Sequence, residues 1–241
     1  MSRGSQRLFA TLVAGMSVLA VARADAQVVA NQRDDFEGGT TMGWHVGDPT
    51  HPAPPTVIAT DGPAGAGDAY LRLTSFGSGG PGSRLSALNT TRWAGNYIAA
   101  GVTQIEMDLI NLGQNDVSLR LLFGAFPDGQ GPPTDLAWSA DAFFLRAGAG
   151  WVHAVFPILP GAMIVPLGTY AGALGGADEL RLFHNPAPVF AGPENSSPPI
   201  AAVVGVDNIR AVAVVPEPAT VALLATGVLG LAAARRRTRR A

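Results

Sequence analysis

An all-β, two-sheet antiparallel β-sandwich is the fold class this sequence predicts, and three observations predict it. Apolar and polar residues alternate over several segments, as they do in strands with one buried face. No window sustains the 3.6-residue period of a long helix. The chain is also punctuated throughout by 30 Gly and 19 Pro without a Gly-X-Y period, which excludes collagen and favours short strands joined by turns.

Residues 102–110 alternate most cleanly, with Ile105, Met107 and Leu109 on one face and Gln104, Glu106 and Asp108 on the other. Residues 116–123, 178–184 and 203–214 read as further strands. Turn-rich stretches separate them at 51–55, 61–67, 77–82, 127–133 and 186–199. Roughly seven to ten strands of about five to nine residues, packed as two layers, account for this pattern.

The 241 residues are 47% hydrophobic and only 14% charged, against about 25% charged in an ordinary soluble domain. Part of the deficit lies in two apolar segments, 8–21 and 219–234, each flanked by arginine. The first has the form of a secretory signal: Arg3 and Arg7, an apolar run, then Ala24-Asp25-Ala26, with a second small-residue site at Ala22-Arg23-Ala24. The signal peptide is therefore placed at 1–26, to be handled by the Sec translocon and signal peptidase. As a helix, residues 219–234 span about 24 Å, short of the ~30 Å hydrocarbon core, so a membrane crossing relies on snorkelling arginines. The closing arginines should stay cytoplasmic and the sandwich, residues 27–215, should lie outside.

Pro216, Glu217 and Pro218, followed by the short apolar helix and the terminal arginine cluster, resemble the PEP-CTERM sorting signal of bacterial envelope proteins. The resemblance implies recognition of residues 216–241 by an exosortase-type membrane enzyme and removal of the tail near the motif. It also implies anchoring at the cell surface or release, often with exopolysaccharide.

Every basic residue is arginine, and the sandwich holds eight of them against sixteen acids, a formal charge of −8. A nucleic-acid partner is excluded, since phosphate binding needs a basic footprint. With no cysteine there are no disulfides, thiol catalysts or thiolate metal sites.

The Asp34-Asp35-Phe36-Glu37-Gly38-Gly39 opening, Gly43-Trp44, the stretch from Trp93 to Tyr97, Gly150-Trp151-Val152 and the closing Gly205-Val206-Asp207-Asn208-Ile209 together resemble a jelly-roll module of the laminin-B or carbohydrate-binding-module type. First and last strands usually adjoin in such sandwiches, and oxygen ligands gathered from both suit Ca²⁺. The resemblance implies one structural calcium, with Glu37 and Asp207 as its side-chain ligands. The competing reading is solvated carboxylates at strand ends, with an Asp bonding a neighbouring backbone N–H.

Glu106 and Asp108 share a strand face and resemble the start of the Glu-x-Asp-x-x-Glu signature of laminarinase-type β-glucanases. The third carboxylate is missing, because Asn111 stands in its place. The pair is read as a solvated strand face, and no catalytic residue is assigned. No Gly-x-Ser-x-Gly or phosphate-binding loop occurs, and the four histidines show no ligand spacing. Among the aromatics, Trp44 and Trp151 alternate with apolar neighbours and are assigned to the core. Trp93 and Tyr97, in a polar loop with Arg92 and Asn96, are assigned to an exposed sugar-stacking platform. The expected protein is a non-enzymatic, surface-sorted component of the envelope that contacts exopolysaccharide. A β-glucanase-like hydrolase and a purely structural or adhesive surface protein stand as alternatives.

Overall fold

The computed structural model describes residues 27–47, 50–126, 131–188 and 198–213. The signal peptide, the motif at Pro216, Glu217 and Pro218 and the expected helix at 219–234 lie outside the described residues. Among the described residues no helix is long and apolar enough to cross a membrane.

Among the described residues twelve strands run in chain order: β1 (Arg33–Asp34), β2 (Thr56–Ile58), β3 (Tyr70–Phe76), β4 (Ser86–Asn89), β5 (Val102–Asn111), β6 (Val117–Ala125), β7 (Asp135–Ser139), β8 (Phe143–Leu145), β9 (Val152–Pro157), β10 (Met163–Leu167), β11 (Glu179–His184) and β12 (Ala201–Ala213). Sheet A has the order β2-β3-β12-β5-β9 with β1 also on β12, and sheet B has β10-β7-β6-β11-β4 with β8 also on β6. Every pairing is antiparallel. Besides a 3₁₀ turn at Pro160–Ala162, the described residues include one short α-helix, α1 (Tyr170–Gly175), capped by the Thr169 hydroxyl, which accepts from the Gly172 N–H.

The sandwich is the one the alternation demands. Ile105, Met107 and Leu109 of β5 face Leu119, Leu121 and Phe123 of β6 across one core, joined by Val204, Val206 and Ile209 of β12 and Leu180 and Leu182 of β11. Gln104, Glu106 and Asp108 lie on the other face of β5, only partly buried. The first strand does adjoin the last, with Asp34 opposite Ile209.

The strand count differs from the expected range, and strand lengths run from two to thirteen residues. Of the strands beyond the predicted ones, β3 and β9 alternate in burial, whereas β7 does not. In β7 four of five residues are buried, because sheet B has a second apolar cluster on its outside: Leu122, Leu136, Trp138 and Phe183. Trp138 donates its indole N–H to the Pro188 carbonyl, and the buried Arg120 guanidinium donates to the carbonyls of Asn185, Ser139 and Ala140. The outer face of sheet B is thereby closed to solvent at its centre.

Candidate functional site

The outer face of sheet A carries a run of polar side chains linked across four strands. Gln104 Nε2 donates to Glu106 Oε1 at 2.6 Å. Glu106 Oε2 lies 3.8 Å from His153 Nε2, and His153 Nδ1 lies 3.0 Å from Asp108 Oδ1. Asp108 Oδ2 accepts from Asn208 Nδ2 at 2.6 Å, and Asn208 Oδ1 accepts from Arg33 Nε at 3.1 Å. The register explains the assembly: Asp108 is paired with His153 on β9 and with Asp207 on β12, and cross-strand partners share a face. His153 is 55% exposed, so the run is open to a ligand at its centre.

An aromatic pair adjoins the run. Trp151 and Tyr70 meet edge to face with ring centroids 5.3 Å apart, and the Trp151 indole N–H donates to the Asp61 carbonyl at 3.0 Å. Tyr70 is buried and Trp151 only half-buried. Tyr70 lies against Gly205, where a Cβ would meet the ring at 3.0 Å and Ile110 Cγ2 at 2.5 Å, so only glycine lets the ring settle on the sheet. Alternate residues of β3 add the exposed Arg72 and Phe76 to the same face.

The expected platform is not where the sequence placed it. Trp93 and Tyr97 are both fully buried. Their polar ends are satisfied internally: Trp93 Nε1 donates to Asp34 Oδ2 at 2.7 Å, and Tyr97 OH donates to the Trp93 carbonyl at 2.6 Å. Burial also raises the Tyr97 hydroxyl well above its ordinary pKa, so it stays a donor. Trp44 is core as expected, but Trp151 is on the face. Parity carried that signal: Trp151 is in phase with the outward His153 and Val155, out of phase with the buried Ala154 and Phe156.

Of the acids in the opening segment, Asp34 is fully committed, accepting from Trp44 Nε1, Trp93 Nε1 and Arg92 Nε at 2.9, 2.7 and 3.0 Å. Glu37 is exposed at the surface, and its Oε1 accepts the Ala69 N–H at 2.9 Å, just before β3. Asp207 lies on the strand paired with β3, so the two residues are brought to the same end of sheet A. The Asp207 carboxylate is 0% exposed, and neither oxygen has a hydrogen-bond partner. Burial first, then the charges of Asp68 and Asp108, push its pKa up to about 7, against the pull of Arg33 and of the nearby Asn208 N–H, which falls short of hydrogen-bond geometry. An orphaned, buried carboxylate beside two further acids fits a hard cation. Among the described residues no three or more His, Asp or Glu side chains form a ready-made cage, so backbone carbonyls and water would complete the shell.

Asn111, standing where a third glucanase carboxylate would be, is buried and turned to the core side of β5. Its side chain donates to the Asn115 and Leu145 carbonyls and accepts from the Gly113 N–H. The outward Glu106 and Asp108 are thus left without the third acid of the signature.

These features define an antiparallel two-sheet jelly-roll β-sandwich. The fold is similar to the family 11 carbohydrate-binding module from Clostridium thermocellum solved in complex with a β-1,3-1,4-mixed-linked tetrasaccharide. The TM-score is 0.50 at 11% identity, covering 78% of this chain and 98% of that one. The solution structure of the module CtCBM11 is similar to the same degree, with TM-score 0.50, 13% identity, 79% of this chain and 99% of the other. No curated protein matches the chain in sequence. Residues 214–237 match the PEP-CTERM protein-sorting motif, so the chain carries that motif directly after the sandwich. It marks an exported protein with a C-terminal sorting signal and implies exosortase processing.

Proposed function

We propose that this is a non-enzymatic protein of the cell surface or extracellular matrix that holds polysaccharide on the outer face of sheet A. The observation that carries the reading is the Trp151–Tyr70 pair set beside the Glu106–His153–Asp108–Asn208 run, on a sheet face whose centre, unlike that of sheet B, is not covered by an apolar cluster among the described residues. Trp151 is fixed by the Tyr70 edge contact and the Asp61 bond, which lowers the entropy lost on stacking a pyranose. The polar run supplies carboxylate and amide acceptors and donors for sugar hydroxyls. The similar family 11 module was solved in complex with a β-1,3-1,4-mixed-linked tetrasaccharide, which makes mixed-linkage glucan the first probe.

The test is affinity electrophoresis and calorimetry of the full chain against mixed-linkage glucan, other neutral glucans and uronate polymers. Binding of at least one polymer is expected, with Trp151→Ala weakening it by about 30-fold, the effect of losing a hot spot of about 2 kcal/mol. Absence of binding across the panel, or full affinity in Trp151→Ala, would leave the structural or adhesive reading in its place.

A structural Ca²⁺ belongs to the same reading, held through Asp207 and Glu37. Its support is the unpartnered Asp207 carboxylate. The ion would supply charge neutralisation alone. At about a hundred times its dissociation constant it should stabilise the folded state by about 2.7 kcal/mol. A Glu37→Ala, Asp207→Ala double variant that responds to calcium like the parent would remove the site.

A further inference from the structure

Asp207 and Asn208 are consecutive residues at a β-bulge, where the β12 register against β5 shifts between Asp207 and Arg210. Asn208 has φ of 53°, in the left-handed region that asparagine tolerates better than most non-glycine residues. One residue buries an unpartnered carboxylate. The next extends its amide onto the outer face, donating to Asp108 Oδ2 and accepting from Arg33. Asp108 in turn meets His153 with its other oxygen.

We infer that a hard divalent cation seated at Asp207 fixes this bulge, and through Asn208 sets the positions of Asp108 and His153, so that the ion controls the order of the ligand-facing run. Without the ion, Asp207 can ionise only against burial and the like charges of Asp68 and Asp108, with Arg33 as the opposing cation. Repulsion and the desolvated Asp207 carboxylate then favour opening of the bulge toward water. With the ion, repulsion becomes attraction, the left-handed Asn208 is held, and its short bond to Asp108 persists. Coupling through a bistable element of this kind is reciprocal: a ligand that needs Asp108 and His153 in place must also tighten the ion. That last step rests on the glycan-face reading above, whereas the ion-to-His153 step does not.

The experiment separates the two. The chain has four histidines, so selective ¹⁵N-histidine labelling of the full chain gives few imidazole signals, and the buried His184 serves as an internal reference. Calcium alone should shift and sharpen the His153 signals while leaving His184 in place, and should raise the melting temperature. Asn208→Gly keeps the left-handed backbone accessible and deletes only the amide. It should retain the calcium-dependent rise in melting temperature and lose the His153 response. Calcium should also tighten mixed-linkage glucan binding at least about fivefold in the parent and leave it unchanged in Asn208→Gly. A parent whose melting temperature does not respond to calcium overturns the proposal at the ion. A His153 response that survives in Asn208→Gly, or is absent in a calcium-stabilised parent, overturns it at the relay. A glucan that does not bind at all counts against the glycan reading and not against the relay.

Discussion

The Asp34 carboxylate and the Trp93 indole are joined by a 2.7 Å hydrogen bond between two residues that are each 0% exposed. The same oxygen, Oδ2, accepts from Trp44, whose ring centroid is 6.3 Å from that of Trp93, while Oδ1 is taken by Arg92. One acid from β1 thus ties together two core indoles and the loop that follows β4. In a chain without cysteine, this polar node performs the cross-linking that a disulfide supplies in many exported domains.

Removing that acid should be among the most damaging single changes. Asp34→Ala leaves two buried indole N–H groups without an acceptor and frees the partly exposed Arg92 from its ion pair, so a loss of about 3–5 kcal/mol is expected, carried mainly by the two indoles. For a domain of this size the melting temperature should fall by roughly 10 °C, with a red shift in tryptophan emission. Asp34→Asn keeps one acceptor oxygen and should fall between the parent and Asp34→Ala. Thermal denaturation followed by tryptophan fluorescence decides it, and an Asp34→Ala variant as stable as the parent would remove the node from the account.

The same node shows what the sequence could and could not convey. The strand at 102–110 was legible because only one of its faces is buried, and the pairing of first and last strands followed from the fold class. Trp93 and Tyr97 were not legible as core, because their neighbours Arg92 and Asn96 are polar and the acid that pairs with Trp93 lies 59 positions away. Local composition reports solvation only where a residue's partners are local. β7 was hidden for the opposite reason: with both faces buried it presents no alternation to read.

Asp207 gives a pH signature with a definite sign. Its folded-state pKa is raised from 3.8 to about 7, so between those values the folded protein holds a proton that the unfolded chain has released. The contribution to stability is complete below about pH 4 and is lost as pH rises to about 7, in chelator. His184 acts in the opposite sense. Burial lowers its pKa, and its Nδ1 accepts from the Ser118 N–H at 3.0 Å, so the stability it contributes is present above about pH 6.5 and lost on acidification. Asp207→Asn isolates the first effect: relative to the parent it should gain stability from pH 4 to pH 7 in chelator. Urea midpoints across that range make the measurement, and a difference independent of pH would show that Asp207 does not titrate there.

Sorting can be tested apart from the sandwich. Replacing Pro216, Glu217 and Pro218 by alanine should leave export intact and hold uncleaved precursor in the cytoplasmic membrane, because the match to the PEP-CTERM motif at 214–237 implies exosortase processing there. Mass spectrometry of the surface and membrane fractions reads the outcome. A mature surface protein that still contains Arg235 to Arg240 would show that the tail is an anchor and not a processed signal.

The hydrolase alternative depends on a carboxyl that the fold cannot supply at position 111. A retaining glycosidase needs both a nucleophile and a proton donor on the same side of the substrate. Glu106 and Asp108 point outward, whereas Asn111 is 1% exposed on the inner side, bonded to the Asn115 and Leu145 carbonyls through its NH₂ group. An ionised Glu there could not donate to those carbonyls and would bring a charge into the core. Asn111→Glu should therefore destabilise the protein by several kcal/mol and confer no activity. The parent should release no reducing ends from β-1,3, β-1,4 or mixed-linkage glucans in a reducing-sugar assay. Turnover by the parent that vanishes in Glu106→Gln would overturn this, and would require the proton donor to come from some group other than residue 111.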